Sequence, residues 1–142
     1  MSSQQLSKSE RINSKKLIDR LFKGGGAKSM SAFPLRVVFM TEDGDAHEPL
    51  AQMMVSVPKR FFKRAVKRNL VKRLVREAYR RNKQVLLDTL EAEEQRKALS
   101  LCFIWTDANL RDYKEVERKT ANLLQRIAEK IGKQADEETN QQ

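Results

Sequence analysis

One stretch limits what this chain can fold into. Residues 59–83, KRFFKRAVKRNLVKRLVREAYRRNK, hold twelve Lys or Arg in 25 positions and a single acid, Glu77. Outside it, 17 basic residues stand against 18 acidic ones, so the formal net charge of +10 resides in this segment. It contains no Gly or Pro, and its apolar residues recur at three- and four-residue spacing, as in an amphipathic helix. The helix is expected over 61–83. At about 100° per residue, Leu70, Val71, Leu74, Val75 and Ala78 share one arc; Arg68, Asn69, Lys72, Arg73, Arg76 and Arg80 share the opposite one. The first arc must find a core, which leaves the second outside. A solvated face usually mixes signs to gain i,i+4 pairs, whereas this stripe repels itself. It calls for an anionic partner, and counterion release from phosphates is the commonest reason to keep such a stripe.

The rest of the chain must supply the core. At 142 residues it reads as one domain, 39% hydrophobic and 34% charged. We expect a flexible N-terminus over 1–10, the folded domain over 11–131 and a disordered polar tail over 132–142. The lone Cys102 lies in an apolar run and reads as a small buried hydrophobe in a reducing compartment. No apolar run approaches the ~18 residues of a membrane span, and MSSQQLSKSE lacks a signal peptide's apolar core. A soluble cytoplasmic protein is expected.

Taken in order, 14–23 reads as a short helix, capped by Ser14 and ended by Gly24 in a left-handed conformation. Its stripe is Leu17, Ile18, Leu21 and Phe22, and pattern alone puts all four in the core. Gly24-Gly25-Gly26 form a turn with no P-loop Lys-Ser/Thr after it. A short edge strand is expected near 27–32, then a strand over 34–41 opened by Pro34. The following loop holds the only histidine, His47, and is read as solvated, since no second His or Cys completes a metal site. The strand over 50–57 is expected to pair antiparallel with 34–41. Ala51, Met53, Val55 and Val57 would take one face, and Gln52, Met54 and Ser56 the other. Pro58 leads into the basic helix. Residues 84–98 continue it and then connect, with Asp88, Glu91, Glu93 and Glu94 facing away from the polyanion. Residues 99–106, LSLCFIWT, read as a central strand with Trp105 buried. A final helix over 111–131 carries Val116, Leu123, Leu124, Ile127 and Ile131, starts at Asp112 or Asp107, and stops at Gly132. This is a single α+β domain with a four-stranded sheet and three helices, in the order αβββαβα.

The order of residues in the basic helix adds a resemblance. Lys59-Arg60, then Ala65-Val66-Lys67-Arg68-Asn69-Leu70-Val71-Lys72-Arg73-Leu74-Val75-Arg76-Glu77-Ala78-Tyr79-Arg80, resembles the signature helix of the protein subunit of bacterial ribonuclease P. That signature runs Arg-Asn-Arg, Lys-Arg after one residue, then an Arg-Glu-aliphatic-aromatic turn. The second Arg is Leu70 here, at the edge of the apolar arc. Arg11-Ile12 and Leu21-Phe22-Lys23-Gly24-Gly25 resemble the family's N-terminal pattern, and the likeness covers about 11–131. It implies the same αβββαβα order, with an unusual left-handed crossover against the general rule. It implies that Lys67, Arg68, Asn69, Lys72, Arg73 and Arg76 hold the catalytic RNA. By the same resemblance Phe22, Ile18 and Arg36 line a cleft for the single-stranded 5′ leader of precursor tRNA, with Lys59 and Arg60 neutralising phosphates at its edge.

No His pair, Cys-His set or Ser motif suggests protein catalysis, and the carboxylates lie in loops and the tail rather than on an apolar scaffold. No catalytic or metal-binding residue is assigned. The resemblance implies that the RNA subunit performs the hydrolysis with Mg²⁺, none being bound by the protein alone. The expected partners are ribonuclease P catalytic RNA and precursor tRNA, with no membrane and no obligate protein partner. The alternatives are a ribosomal or other structured-RNA-binding protein using the same helix, and a helix docked on an acidic protein. The RNA that copurifies separates them.

Overall fold

The computed structural model describes residues 6–12, 15–44 and 49–140, with side chains to Lys133. Ser14 and His47 lie outside the described residues. After a 3-10 turn (Lys8–Glu10) come α1 (Lys15–Lys23), β1 (Lys28–Ala32), β2 (Leu35–Asp43), β3 (Ala51–Ser56), α2 (Ala65–Asn82), α3 (Gln84–Glu91), β4 (Lys97–Trp105) and α4 (Tyr113–Asn140). The class and the sheet of four strands are those expected. The helices are four, because the basic helix gives way to α3 at Lys83, where Asn82 turns its side-chain amide back onto the Ala78 carbonyl.

The sheet order is β1-β2-β4-β3, antiparallel except for the β3/β4 pair. The expected antiparallel pairing of β2 with β3 is therefore wrong: β4 inserts between them. The physical reason is that β4 is apolar on both faces. Leu99, Leu101, Phe103 and Trp105 face one way, Cys102 and Ile104 the other, and such a strand gains most from the centre. β3 alternates as anticipated, with Ala51, Met53 and Val55 buried and Gln52, Met54 and Ser56 half-exposed. Its outer edge is covered by the N-terminal segment, which pairs Arg11 with Met53 and donates from Ile12 N to Met53 O at 3.0 Å. The segment around residues 7–12 is thus tied to the domain rather than lying outside it.

Two cores flank the sheet. The larger lies against α2, α3 and α4 and contains Val71, Val75, Ala78, Tyr79, Phe103, Trp105, Val116, Leu123, Leu124, Ile127 and Ile131. The smaller packs Leu17 and Leu21 of α1 on Val38, Met40 and Cys102. Burial pushes the Cys102 thiol up to about 12, so it behaves as the apolar residue its context suggested. Asp112 caps α4, its carboxylate accepting from Glu115 N at 2.9 Å.

Three helix ends differ from expectation. α2 starts at Ala65, not near 61, because Phe61 and Phe62 sit in a turn closed by Phe61 N on Pro58 O, with Phe62 buried. α1 ends with Gly24 N donating to Arg20 O at 3.0 Å, but the left-handed residue is Gly25 (φ 76°). Gly24 is needed for space, since a Cβ there would meet Arg20 O at 2.6 Å. Finally, Gly132 does not stop α4, which runs through it to Asn140; no glycine but Gly25 has a positive φ among the described residues.

Candidate nucleic-acid interface

Packing Val71, Val75, Ala78 and Tyr79 inward turns the opposite side of α2 to solvent. There Asn69, Arg73, Arg76, Glu77 and Arg80 line an open cleft of about 700 Å³ whose other wall is Leu6 and Arg11. The lone acid, Glu77, is taken by Arg80 at 2.6 Å and Arg81 at 3.0 Å, and these partners, Arg80 first, hold its carboxyl below the ordinary range. Arg11, Arg73 and Arg76 have no salt-bridge partner among the described residues. Burial, and then the charge of Arg11, lower the pKa of Arg76. Cations held this close in a free protein mark a site shaped for an anion.

Arg11 was missed as a site residue. It reaches the cleft because the segment that carries it is anchored twice. Gln52 Nε2 donates to Ser9 O at 2.9 Å, and the buried Lys83 donates to both oxygens of Glu10 at 2.8 and 3.1 Å. Sequence marked Arg11 only as part of the family's N-terminal pattern, beside a core isoleucine and 58 residues from Asn69 of the stripe.

Of the residues expected to hold the catalytic RNA, the structure gathers Asn69, Arg73 and Arg76. Arg68 is turned away from them. Its Nη1 donates to the carbonyls of Phe62 and Lys63 at 2.7 and 2.8 Å, fixing the turn that enters α2, which no side chain caps. Lys72 is half-buried. Lys67 lines a separate pocket near the start of α2. Leu70 is 40% exposed, so it is not a core substitute for the family Arg.

The second expected site lies on the other face of the sheet. Leu17 and Leu21 hold α1 down, while Ile18 is half-buried and Phe22 is 49% exposed. Pattern alone would have buried all four; the two leucines suffice to anchor the helix. On this face Ser31, Arg36, Ile104 and Ser56 form one cross-strand row. Arg20 bridges Glu42 at 3.1 Å, at the far end of β2 from Arg36. On a helix Ile18 and Phe22 lie on the flank opposite Arg20. Ile18 and Ile104 pack on the same small core. Arg36 is exposed, and so are Lys59 and Arg60, just beyond the end of β3 that carries Ser56; Arg60 stacks 4.7 Å over the Phe61 ring. Trp105 is fully buried, so it offers no stacking surface.

Among the described residues no three His, Cys, Asp or Glu side chains converge on a point. The α2 cleft is lined mainly by cations, which do not suit a metal ion.

A basic helix serving as the crossover of a small mixed sheet, with a short helix packed on the sheet's other face, defines a class of one-domain α+β proteins. The ribonuclease P family model matches residues 6–128. The ribonuclease P protein component of Porphyromonas gingivalis strain ATCC 33277 is 44% identical over 124 residues, 87% of this chain and 86% of that protein; the protein from strain W83 matches equally. The solved RNase P protein from Thermotoga maritima superposes with a TM-score of 0.62 at 26% identity, covering 82% of this chain and 96% of that one. The Staphylococcus aureus RNase P protein, at 19% identity and a TM-score of 0.57, covers 82% and 94% and shares the fold. The chain belongs to the ribonuclease P protein family.

Proposed function

We infer that the protein binds the catalytic RNA of ribonuclease P through the α2 cleft and the 5′ leader of precursor tRNA through the cleft beside α1, assisting endonucleolytic removal of the leader. The observation that carries this is the convergence of Arg11, Asn69, Arg73 and Arg76 on one open surface, with the exposed Phe22 and Arg36 on another. Positive charge placed where two polyanions meet lowers their repulsion. Mg²⁺ enters through the RNA subunit, where hydrolysis occurs, and the setting is the cytoplasm. The purified protein is expected not to cleave precursor tRNA alone, and to stimulate leader removal when given its catalytic RNA at low Mg²⁺. Cleavage by the protein alone, surviving RNase treatment of the preparation, would refute this.

The exposure of Phe22 sharpens one test. A core phenylalanine would cost about 3–5 kcal/mol of stability on truncation, but a side chain this exposed has little to lose. Phe22→Ala should leave the melting temperature near that of the parent. It should weaken binding of leader-bearing precursor tRNA to the assembled enzyme by about 1–3 kcal/mol, the worth of a base–aromatic stack, and barely move mature tRNA. Equal losses for both RNAs would take Phe22 out of the leader cleft.

A further inference from the structure

At one end of the sheet the turn after β3 and the loop after β4 come together around an open pocket distinct from the α2 cleft. Its volume is about 390 Å³, within the range of ~300–1,000 Å³ typical of small-molecule sites. Phe61 and Leu110 supply its apolar walls, and Lys63, Arg64 and Lys67 its charge. The three cations are exposed, and no described carboxylate forms a salt bridge with any of them. Asn109 donates through Nδ2 to Asp107 Oδ1 at 3.3 Å, which leaves its own carbonyl oxygen as an acceptor at the pocket.

The loop is held in place. Arg111 Nε donates to Asp107 at 2.7 Å, Arg111 Nη1 donates to Glu115 at 2.7 Å, and Asn109 N donates to Asp107 at 3.2 Å. Leu110 nevertheless stays 42% exposed between these anchors. Arg60 covers one face of the Phe61 ring, so Phe61 and Leu110 offer a partly exposed apolar wall. With a hydrogen-bond acceptor and three cations outside any described salt bridge, it is a combination that receives a base and its phosphates together. A protein partner with an acidic surface would satisfy the cations but leave Phe61 and Leu110 without a flat apolar group.

We propose that this pocket takes one unstacked nucleotide of single-stranded RNA, the base against Phe61 and Leu110 and the flanking phosphates on Lys63, Arg64 and Lys67. This rests on the RNA-binding reading above and adds a third contact to it.

The test uses the full chain, with the catalytic RNA in one arm and leader-bearing precursor tRNA on the assembled enzyme in the other. Leu110→Ser removes an apolar wall from an exposed loop position without changing charge. It should weaken binding about five- to tenfold in the arm whose RNA enters the pocket, with an unchanged slope of log Kd against log salt. Lys63→Ala should instead flatten that slope by about 0.7–0.9 in the same arm. The affected arm identifies the source of the nucleotide. Parent-like affinity for Leu110→Ser in both arms, at an unchanged melting temperature, would overturn the pocket while leaving the RNA-subunit reading intact. Failure of the parent chain to bind either RNA would overturn both.

Discussion

With Arg11, Arg73 and Arg76 all changed to alanine, the salt dependence of catalytic-RNA binding should flatten by about two to three units of slope, each lost phosphate contact removing about 0.7–0.9. Between about 1 M and 0.1 M salt that slope amounts to roughly 100- to 1,000-fold in affinity, so at low salt the variant should bind that much more weakly. The fold should survive. None of the three side chains has a salt-bridge partner among the described residues, and Arg11 and Arg76 repel each other in the free protein. Arg68 is deliberately left in place, since its bonds to Phe62 and Lys63 hold the start of α2 and its loss would mix folding with binding. Filter binding across a salt series, with circular dichroism alongside, reads the result. An unchanged slope would show that the stripe is a solvated face.

The largest stability effect is expected at Lys83. Its side chain is 3% exposed, and its ammonium meets Glu10 at 2.8 Å. Lys83→Met leaves a largely buried carboxylate without its cation, and breaking such a pair from one side costs about 3–5 kcal/mol. For a domain of this size that is a fall in Tm of about 10–20 °C. The double change Lys83→Met with Glu10→Leu should recover most of it, because a buried pair and a well-packed apolar pair are often close in free energy. Urea or thermal unfolding of the single and double variants measures this. A single variant as stable as the parent would mean that water still reaches Glu10. The RNA readout also follows: with the anchor cut, Arg11 is no longer held at the cleft, so Lys83→Met should weaken catalytic-RNA binding at temperatures well below its melting point.

The sequence resolved those features that depend on periodicity. The inward face of α2, the alternation of β3 and the stripe of α4 follow from side-chain spacing; on α2 Val71, Val75 and Ala78 are buried as spacing requires, while Leu70, at the edge of the arc, stays 40% exposed. Strand neighbours do not follow from spacing, because periodicity says which face a residue takes and not which strand lies beside it. The double-sided apolar character of β4 was the one clue that it would be central, and it did not prevent β2 and β3 from being paired by their short connection. The start of α2 was misplaced because Phe61 and Phe62 continue the apolar pattern while sitting in a turn. At the candidate site, charge density located the helix, but it could not distinguish Arg73, which faces the cleft, from Arg68, which bonds backbone, or Lys83, which is buried. All three are cations in one run. Phe22 and Arg36 were singled out by the family resemblance, and nothing in the local pattern separates Phe22 from Leu21.

The central strand has a consequence for how this chain comes into being. Synthesis proceeds through β1, β2 and β3 and then through the basic helix before β4 exists, yet β4 is the one named strand that β3 pairs with, its other edge meeting only the short N-terminal segment. A nascent chain that has emerged as far as α3 therefore carries its arginines on display while Val71, Val75 and Tyr79 have no finished sheet to rest on. Pairings this distant are slow to form and leave apolar surface uncovered in the meantime. The order of translation thus puts the polyanion-binding surface ahead of the core that gives it shape, and the last strand to arrive converts it from a charged segment into a site.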